Sequence, residues 1–140
     1  MAIGHEISLA QYAPLAYSQI VKAVPMTLVE MPEFIERAED LLSENQRDDL
    51  LTHIASNPEC GAIIPDTGGV RKLRWAAGRR GKSGGVRVIY YFYNDTMPIV
   101  LLTVYAKSRK RDLSQEEKNE LRKLMPLLVK TYQRRRGGRK

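Results

Sequence analysis

Residues 68–92 read GGVRKLRWAAGRRGKSGGVRVIYYF, and the way this stretch divides into elements decides the fold. Val70 to Trp75 alternates: Lys72 and Arg74 share one face, Leu73 and Trp75 the other, as a strand with one wet face requires. Residues 78–85 form a glycine-rich connection, and Val86 to Tyr93 is a second strand, rich in β-branched and aromatic residues. Asn94-Asp95 with Pro98 turns it into a third, Ile99 to Tyr105, whose IVLL run predicts a central strand covered on both faces. The result is an antiparallel meander. Between Asp66 and Asp95 it carries Arg71, Lys72, Arg74, Arg79, Arg80, Lys82 and Arg87 with no acidic residue among them. Those seven charges equal the net charge of the chain, +7, so the remainder sums to zero. A positive field this concentrated points to a polyanion, most simply nucleic acid.

Outward from the meander, Ile63 and Ile64 lead through Pro65 into the turn Asp66-Thr67-Gly68-Gly69. Further upstream, TLVE after Met26 is a short strand and Pro32 sits at the first turn of a helix, where its missing N–H is not needed. Phe34, Ile35, Ala38, Leu41 and Leu42 follow at helical spacing, and this helix ends near Ser43. Ser43 and Gln46 have capping-box spacing, and Leu50, Leu51, Ile54 and Ala55 stripe a second helix that stops before Pro58. The acidic outer faces of the two helices read as solvated surface, and His53 lies on them away from the basic stretch. Downstream, Ser114 and Glu117 form another capping box, and Leu121, Leu124, Met125 and Leu128 give a third helix that Pro126 is expected to bend or end. Gln133 to Lys140, QRRRGGRK, contains no apolar residue and is expected to be disordered in isolation, either a phosphate-binding arm or a solubilising terminus.

The chain of 140 residues, 43% hydrophobic and 28% charged, suits one α+β domain over residues 26–130, with 1–25 an N-terminal extension and 131–140 a basic tail. Residues 1–25 lack the basic start and unbroken apolar core of a secretory signal, and no apolar run approaches the roughly 20 residues of a membrane helix. The single Cys60 cannot form an internal disulfide, no Cys/His cluster suggests zinc, and we expect a reducing cytoplasm and no cofactor. Ala76 to Ser83, AAGRRGKS, fits a loosened phosphate-loop pattern. That motif needs a helix after it, and a strand follows instead.

The blocks GGVRKLR, VRVIYYF and LLTVYAKSRKRDLS, in this order behind a strand and two helices, resemble the RelE/HigB superfamily of toxins from bacterial type II toxin-antitoxin systems. The nearer branch is the HigB-2-like group, with G-G-[VL]-R-K-[LI]-R, a glycine-and-lysine loop, R-[VI]-I-Y-Y-F and L-L-T-[VI]-Y-[AG]-K followed by D-L; the likeness runs from Met26 to Val129. It implies an antiparallel sheet with an N-terminal helical hairpin on one side and a C-terminal helix at its edge. It also implies a ribosome-dependent endoribonuclease that cuts mRNA in the decoding site. A cognate antitoxin with a helix-turn-helix domain would hold it inactive and supply the only link to operator DNA. Matched residue by residue, Lys72 and Arg74 fall at the scissile phosphate, Arg87 holds the phosphate, and Lys107 lies in a basic pair whose second position is Ser108. Leu113 stands where several members have tyrosine, which leaves the general base unassigned.

Cleavage of RNA at its own 2′-OH asks a protein for proton transfer, positive charge at the developing phosphorane and a fixed geometry. With no His pair in the basic stretch, proton transfer falls to Lys72, Lys82 or Lys107, or to Tyr91 or Tyr105. Arg71, Arg79, Arg80 and Lys82 read as RNA contacts. Trp75 and Tyr90 read as core, whereas Tyr91 shares parity with Arg87 and is placed to stack a nucleotide. Two other functions fit the same residues: a noncatalytic RNA- or ribosome-binding module, and a ParE-like gyrase inhibitor of the same fold.

Overall fold

The computed structural model describes residues 25–77, 85–110 and 112–137. The order of elements is β1 (Leu28–Glu30), α1 (Pro32–Leu41), α2 (Glu44–Ser56), β2 (Ala62–Ile63), β3 (Val70–Trp75), β4 (Val86–Tyr91), β5 (Ile99–Ala106) and α3 (Gln115–Gly137). Five strands lie in the order β1-β5-β4-β3-β2. The meander pairs antiparallel throughout, and β1 joins its edge in parallel with Leu28 opposite Ile99, so the complete sheet of this α+β fold is mixed. The helical hairpin makes that parallel pairing possible, because it carries the chain back across the sheet between β1 and β2. β5 lies inside the sheet, and its residues are buried on both faces as its apolar run predicts.

Local chemistry sets the helix ends. Pro32 begins α1 with Glu33 in the first turn, and Phe34 and Ala38 face inward. Ser43 caps α2 reciprocally with Gln46: Gln46 N–H donates to Ser43 Oγ at 3.1 Å, and Ser43 N–H to Gln46 Oε1 at 2.9 Å. The turn between β2 and β3 requires positive φ at Asp66, Gly68 and Gly69, and buried Thr67 closes it by donating to the Ile64 carbonyl and accepting from Val70 N–H. Glycine takes such φ without a Cβ clash.

Two apolar clusters flank the sheet. Phe34, Ala38, Leu42, Leu50 and Ile54 from the hairpin pack on Val86, Val88, Tyr90, Leu101 and Val104. On the other face Met125 and Val129 of α3 pack with Val70, Ile89, Tyr91 and Val100. This corrects the expectation that the last helix lies at the sheet edge. Alternation leaves Val70, Ile89, Tyr91 and Val100 on the face away from the hairpin, and an apolar face of that kind needs its own cover. The same packing explains why α3 does not end at Pro126 but continues to Gly137, so that residues 133–137 of the tail expected to be disordered are helical. Anchors on both sides of Pro126, Met125 and Val129, outweigh the roughly 3 kcal/mol that an interior proline costs a helix. Beyond them, arginines near a helix C-terminus suit both helix propensity and the macrodipole.

Residues 1–24, and with them almost all of the expected extension, lie outside the described residues. Among the described residues no helix is long and apolar enough to cross a membrane.

Candidate nucleic-acid interface

The register of the meander assembles the basic residues. Arg74 lies directly opposite Arg87, and Arg87 directly opposite Tyr105, so the three form one row across β3, β4 and β5 on the α3 side of the sheet. Lys72 occupies the next row on the same face, opposite Ile89. α3 covers the end of this face marked by Val70, Tyr91 and Val100, and the cationic rows occupy the other end. Arg74 is exposed and Arg87 half-buried, and no ion pair holds either among the described residues. Arg87 Nη1 reaches only the Val86 carbonyl, at 3.4 Å. Like charges placed directly across a strand pair destabilise a sheet. Two arginines in that arrangement cost folding free energy, which an anion bound between them would offset.

Around the row, the segment after β5 folds back. Lys107 is exposed, and its N–H donates to the Gly85 carbonyl at 3.0 Å, tying the end of β5 to the start of β4. Lys110 Nζ stands 5.7 Å from the centre of the Tyr105 ring and is held by both carboxylate oxygens of Glu117 at 2.8 and 2.7 Å. Asp112 Oδ1 accepts from Lys72 Nζ at 2.6 Å. The expected second capping box is present: Glu117 N–H donates to Ser114 Oγ and Ser114 N–H to Glu117 Oε1.

Burial raises the Tyr105 phenol above its ordinary value; the Asp112 charge adds to this and Arg87 opposes it. The phenol is therefore protonated at neutral pH and serves as a hydrogen-bond donor. Burial opposes ionisation of Glu117 too, but hydrogen bonds from Lys110 and the Ser114 backbone win and hold its carboxyl below the usual range. A carboxylate lowered in the folded state contributes stability that is present above the unfolded value of 4.5 and is lost as pH falls through the folded one. In Glu117→Gln, thermal unfolding followed between neutral pH and the acid limb should show a shallower fall below about pH 4.5 than wild type. An unchanged acid limb would show that the cap carries no linked stability.

The remaining candidates fall elsewhere. Arg71 points to the hairpin side, where its guanidinium donates to the carbonyls of Glu59 (3.2 Å) and Gly61 (2.7 Å), so parity separates it from Lys72 and Arg74. Tyr91 has the expected parity with Arg87 but lies four residues along β4, roughly 13 Å away, buried under α3 and stacked with Tyr93. Burial, and then Tyr93, raise its phenol above the ordinary value. Tyr90 and Trp75 pack in the hairpin-side core, Trp75 against the His53 ring at 5.2 Å. Arg79, Arg80 and Lys82 lie outside the described residues. Residues 78–84 nevertheless join two antiparallel strands, so the phosphate-loop pattern has no helix behind it. Sequence reasoning passed over Lys110 and Asp112. The available signal is that Asp112 is the first acid after Asp95, at the end of the run KSRKRD. Among the described residues no three His, Cys, Asp or Glu side chains gather as a metal site.

The fold and the cationic rows define the class: a small α+β domain with one sheet face half covered by a helix and half presenting arginines that have no ion pair among the described residues. A family model described as the RelE toxin of the RelE/RelB toxin-antitoxin system matches residues 37–135. The chain belongs to this family of toxins, which implies an antitoxin partner. Among solved structures it is similar to a double mutant of the E. coli toxin RelE in the free state. The two are 14% identical, the match covers 62% of this chain and 88% of that one, and the TM-score is 0.46.

Proposed function

We propose that this toxin is a ribosome-dependent endoribonuclease that cuts mRNA in the decoding site, and that its nearest relatives are the HigB-2-like toxins. The observation that carries the reading is the cross-strand row Arg74–Arg87–Tyr105 with Lys72 beside it, an arrangement unfavourable for the sheet alone and suited to a bridging phosphate. In the reaction the RNA 2′-hydroxyl attacks the adjacent phosphorus in line as its proton passes to a base. The bond from phosphorus to the 5′-oxygen breaks, and that oxygen takes a proton, leaving a 2′,3′-cyclic phosphate and a 5′-hydroxyl. Arg74 and Arg87 hold the charge that grows on the nonbridging oxygens, where preorganised donors act most strongly. Lys107 extends the positive surface toward the RNA backbone. Tyr105, protonated at neutral pH, suits a donor and not a base. A lysine is a weak base at neutral pH, and rigid positioning of the substrate makes up part of the lost rate, which fits a requirement for the ribosome.

The cognate antitoxin brings a helix-turn-helix domain and with it the operator contact. The toxin domain begins near Met26, whose N–H donates to the Ala55 carbonyl at 3.0 Å and whose side chain packs on the hairpin-side core. Limited proteolysis that leaves a core starting well before Met26 would overturn that boundary.

The test of the function is purified protein with ribosomes carrying a defined mRNA, followed by mapping of product ends. Cuts within the decoding-site codon, bearing 2′,3′-cyclic phosphate and absent without ribosomes, are expected. Tight ribosome binding with no cuts would replace the proposal by a binding module, and inhibition of DNA supercoiling without cuts by a gyrase inhibitor.

A further inference from the structure

We propose that Asp112 is a positioning residue: in the RNA-free protein its carboxylate takes the place of a phosphate oxygen on Lys72, holds that ammonium beside the arginine row, and gives it up when RNA arrives. The inference rests on the phosphate-binding reading of the row. Three observations support it. First, Asp112 Oδ1 lies 2.6 Å from Lys72 Nζ, although the two residues are 40 positions apart in the chain. Second, the carboxylate is placed by its surroundings. Buried Leu113 anchors the next residue in the α3-side core, and the Ser114–Glu117 capping box fixes the backbone after it. Third, the pair is easily exchanged: the Asp112 side chain is 66% exposed and that of Lys72 31%, so neither is locked in the core. An ion pair this exposed contributes little to stability. Its consequence is therefore in binding more than in folding.

The neighbouring cations make the contrast. Arg74, Arg87, Lys107 and Arg109 have no carboxylate partner among the described residues, and the partner of Lys110 is Glu117, which is committed to the helix cap. Asp112 and Glu117 raise the Tyr105 phenol while Arg87, opposite it in register, lowers it. On exchange no covalent bond changes. The Lys72 ammonium moves from the carboxylate to a phosphate oxygen, and the Asp112 carboxylate moves off it.

The experiment measures binding and cleavage separately. Wild type, Asp112→Asn, Lys72→Met and the double variant are titrated with a single-stranded oligoribonucleotide at several salt concentrations. The same proteins are then assayed on programmed ribosomes. Asp95→Asn, an exposed change of equal charge in the β4–β5 turn, controls for net charge. Removing the competing carboxylate is expected to tighten RNA binding roughly fivefold at low salt and to steepen the salt dependence by about 0.7 in log–log slope, one phosphate's worth on a single strand. The gain should vanish in the Lys72→Met background. On ribosomes KM should fall together with kcat, because an unheld lysine binds phosphate but wanders. If Asp95→Asn tightens binding equally, or the gain survives without Lys72, the carboxylate is only a general charge and the inference is overturned. If the exchange is seen and no variant cleaves, the endoribonuclease reading falls and the exchange stands. A wild type that binds no RNA overturns both.

Discussion

Arg87→Ala should lower cleavage on programmed ribosomes by about 10²- to 10³-fold, the loss typical of removing one preorganised donor to a developing oxyanion. Arg87 is the middle member of the row, with Arg74 opposite on one side and Tyr105 on the other, so its removal opens the row at its centre. No other described cation stands between those two positions. Stability should move the other way or not at all. Among the described residues Arg87 has no ion pair to lose and its side chain makes only a 3.4 Å contact to the Val86 carbonyl, while its charge repels Arg74 across the strands. A melting temperature equal to or slightly above that of wild type, with cleavage lost, separates a role in chemistry from one in folding. Arg87→Lys should recover only part of the rate, since an ammonium cannot grip two phosphate oxygens as a guanidinium fork does. Full cleavage by Arg87→Ala would remove the residue from the mechanism.

Tyr90→Phe should destabilise the fold by about 2–4 kcal/mol, a large effect for loss of one oxygen atom. The Tyr90 hydroxyl accepts from Gly61 N–H at 2.8 Å and donates to the Pro58 carbonyl at 2.8 Å, with Cys60 Sγ at 3.5 Å. Phenylalanine would leave a buried N–H and a partly buried carbonyl without partners, each a desolvation cost of about 1–3 kcal/mol. Arg71 grips the same loop through the Glu59 and Gly61 carbonyls, so loosening it also loosens β3 beside Lys72. Burial, then Cys60, raise the Tyr90 phenol while the Gly61 N–H opposes, and the hydroxyl stays protonated as its bond to Pro58 requires. Chemical denaturation should show the midpoint falling with the slope unchanged. A variant as stable as wild type would mean that water replaces the hydroxyl.

The helix starts at Pro32 and Ser43, the cap at Ser114–Glu117 and the meander were legible because each depends on a few adjacent residues. So was the shared face of Lys72 and Arg74, since alternation along a strand is a property of the backbone. Arg71 read as an RNA contact, whereas the structure turns it to the hairpin side, onto the Glu59 and Gly61 carbonyls. Tyr91 illustrates the limit from the other side: its parity with Arg87 was readable, whereas the helix that buries it arrives from residues 115–137.

By itself the sequence determined the elements, their caps, the confinement of the net charge to one stretch, and the family resemblance. Only the tertiary structure decided that Arg74, Arg87 and Tyr105 stand in one row, that α3 covers one end of that face and leaves the cationic end, and that Asp112 finds Lys72. The physical reason is range. Caps and alternation are local, set by hydrogen bonds and dihedral angles within a few residues. Register across strands, and the choice of which apolar patch a helix covers, are settled by contacts between distant segments, and no short window of residues carries them.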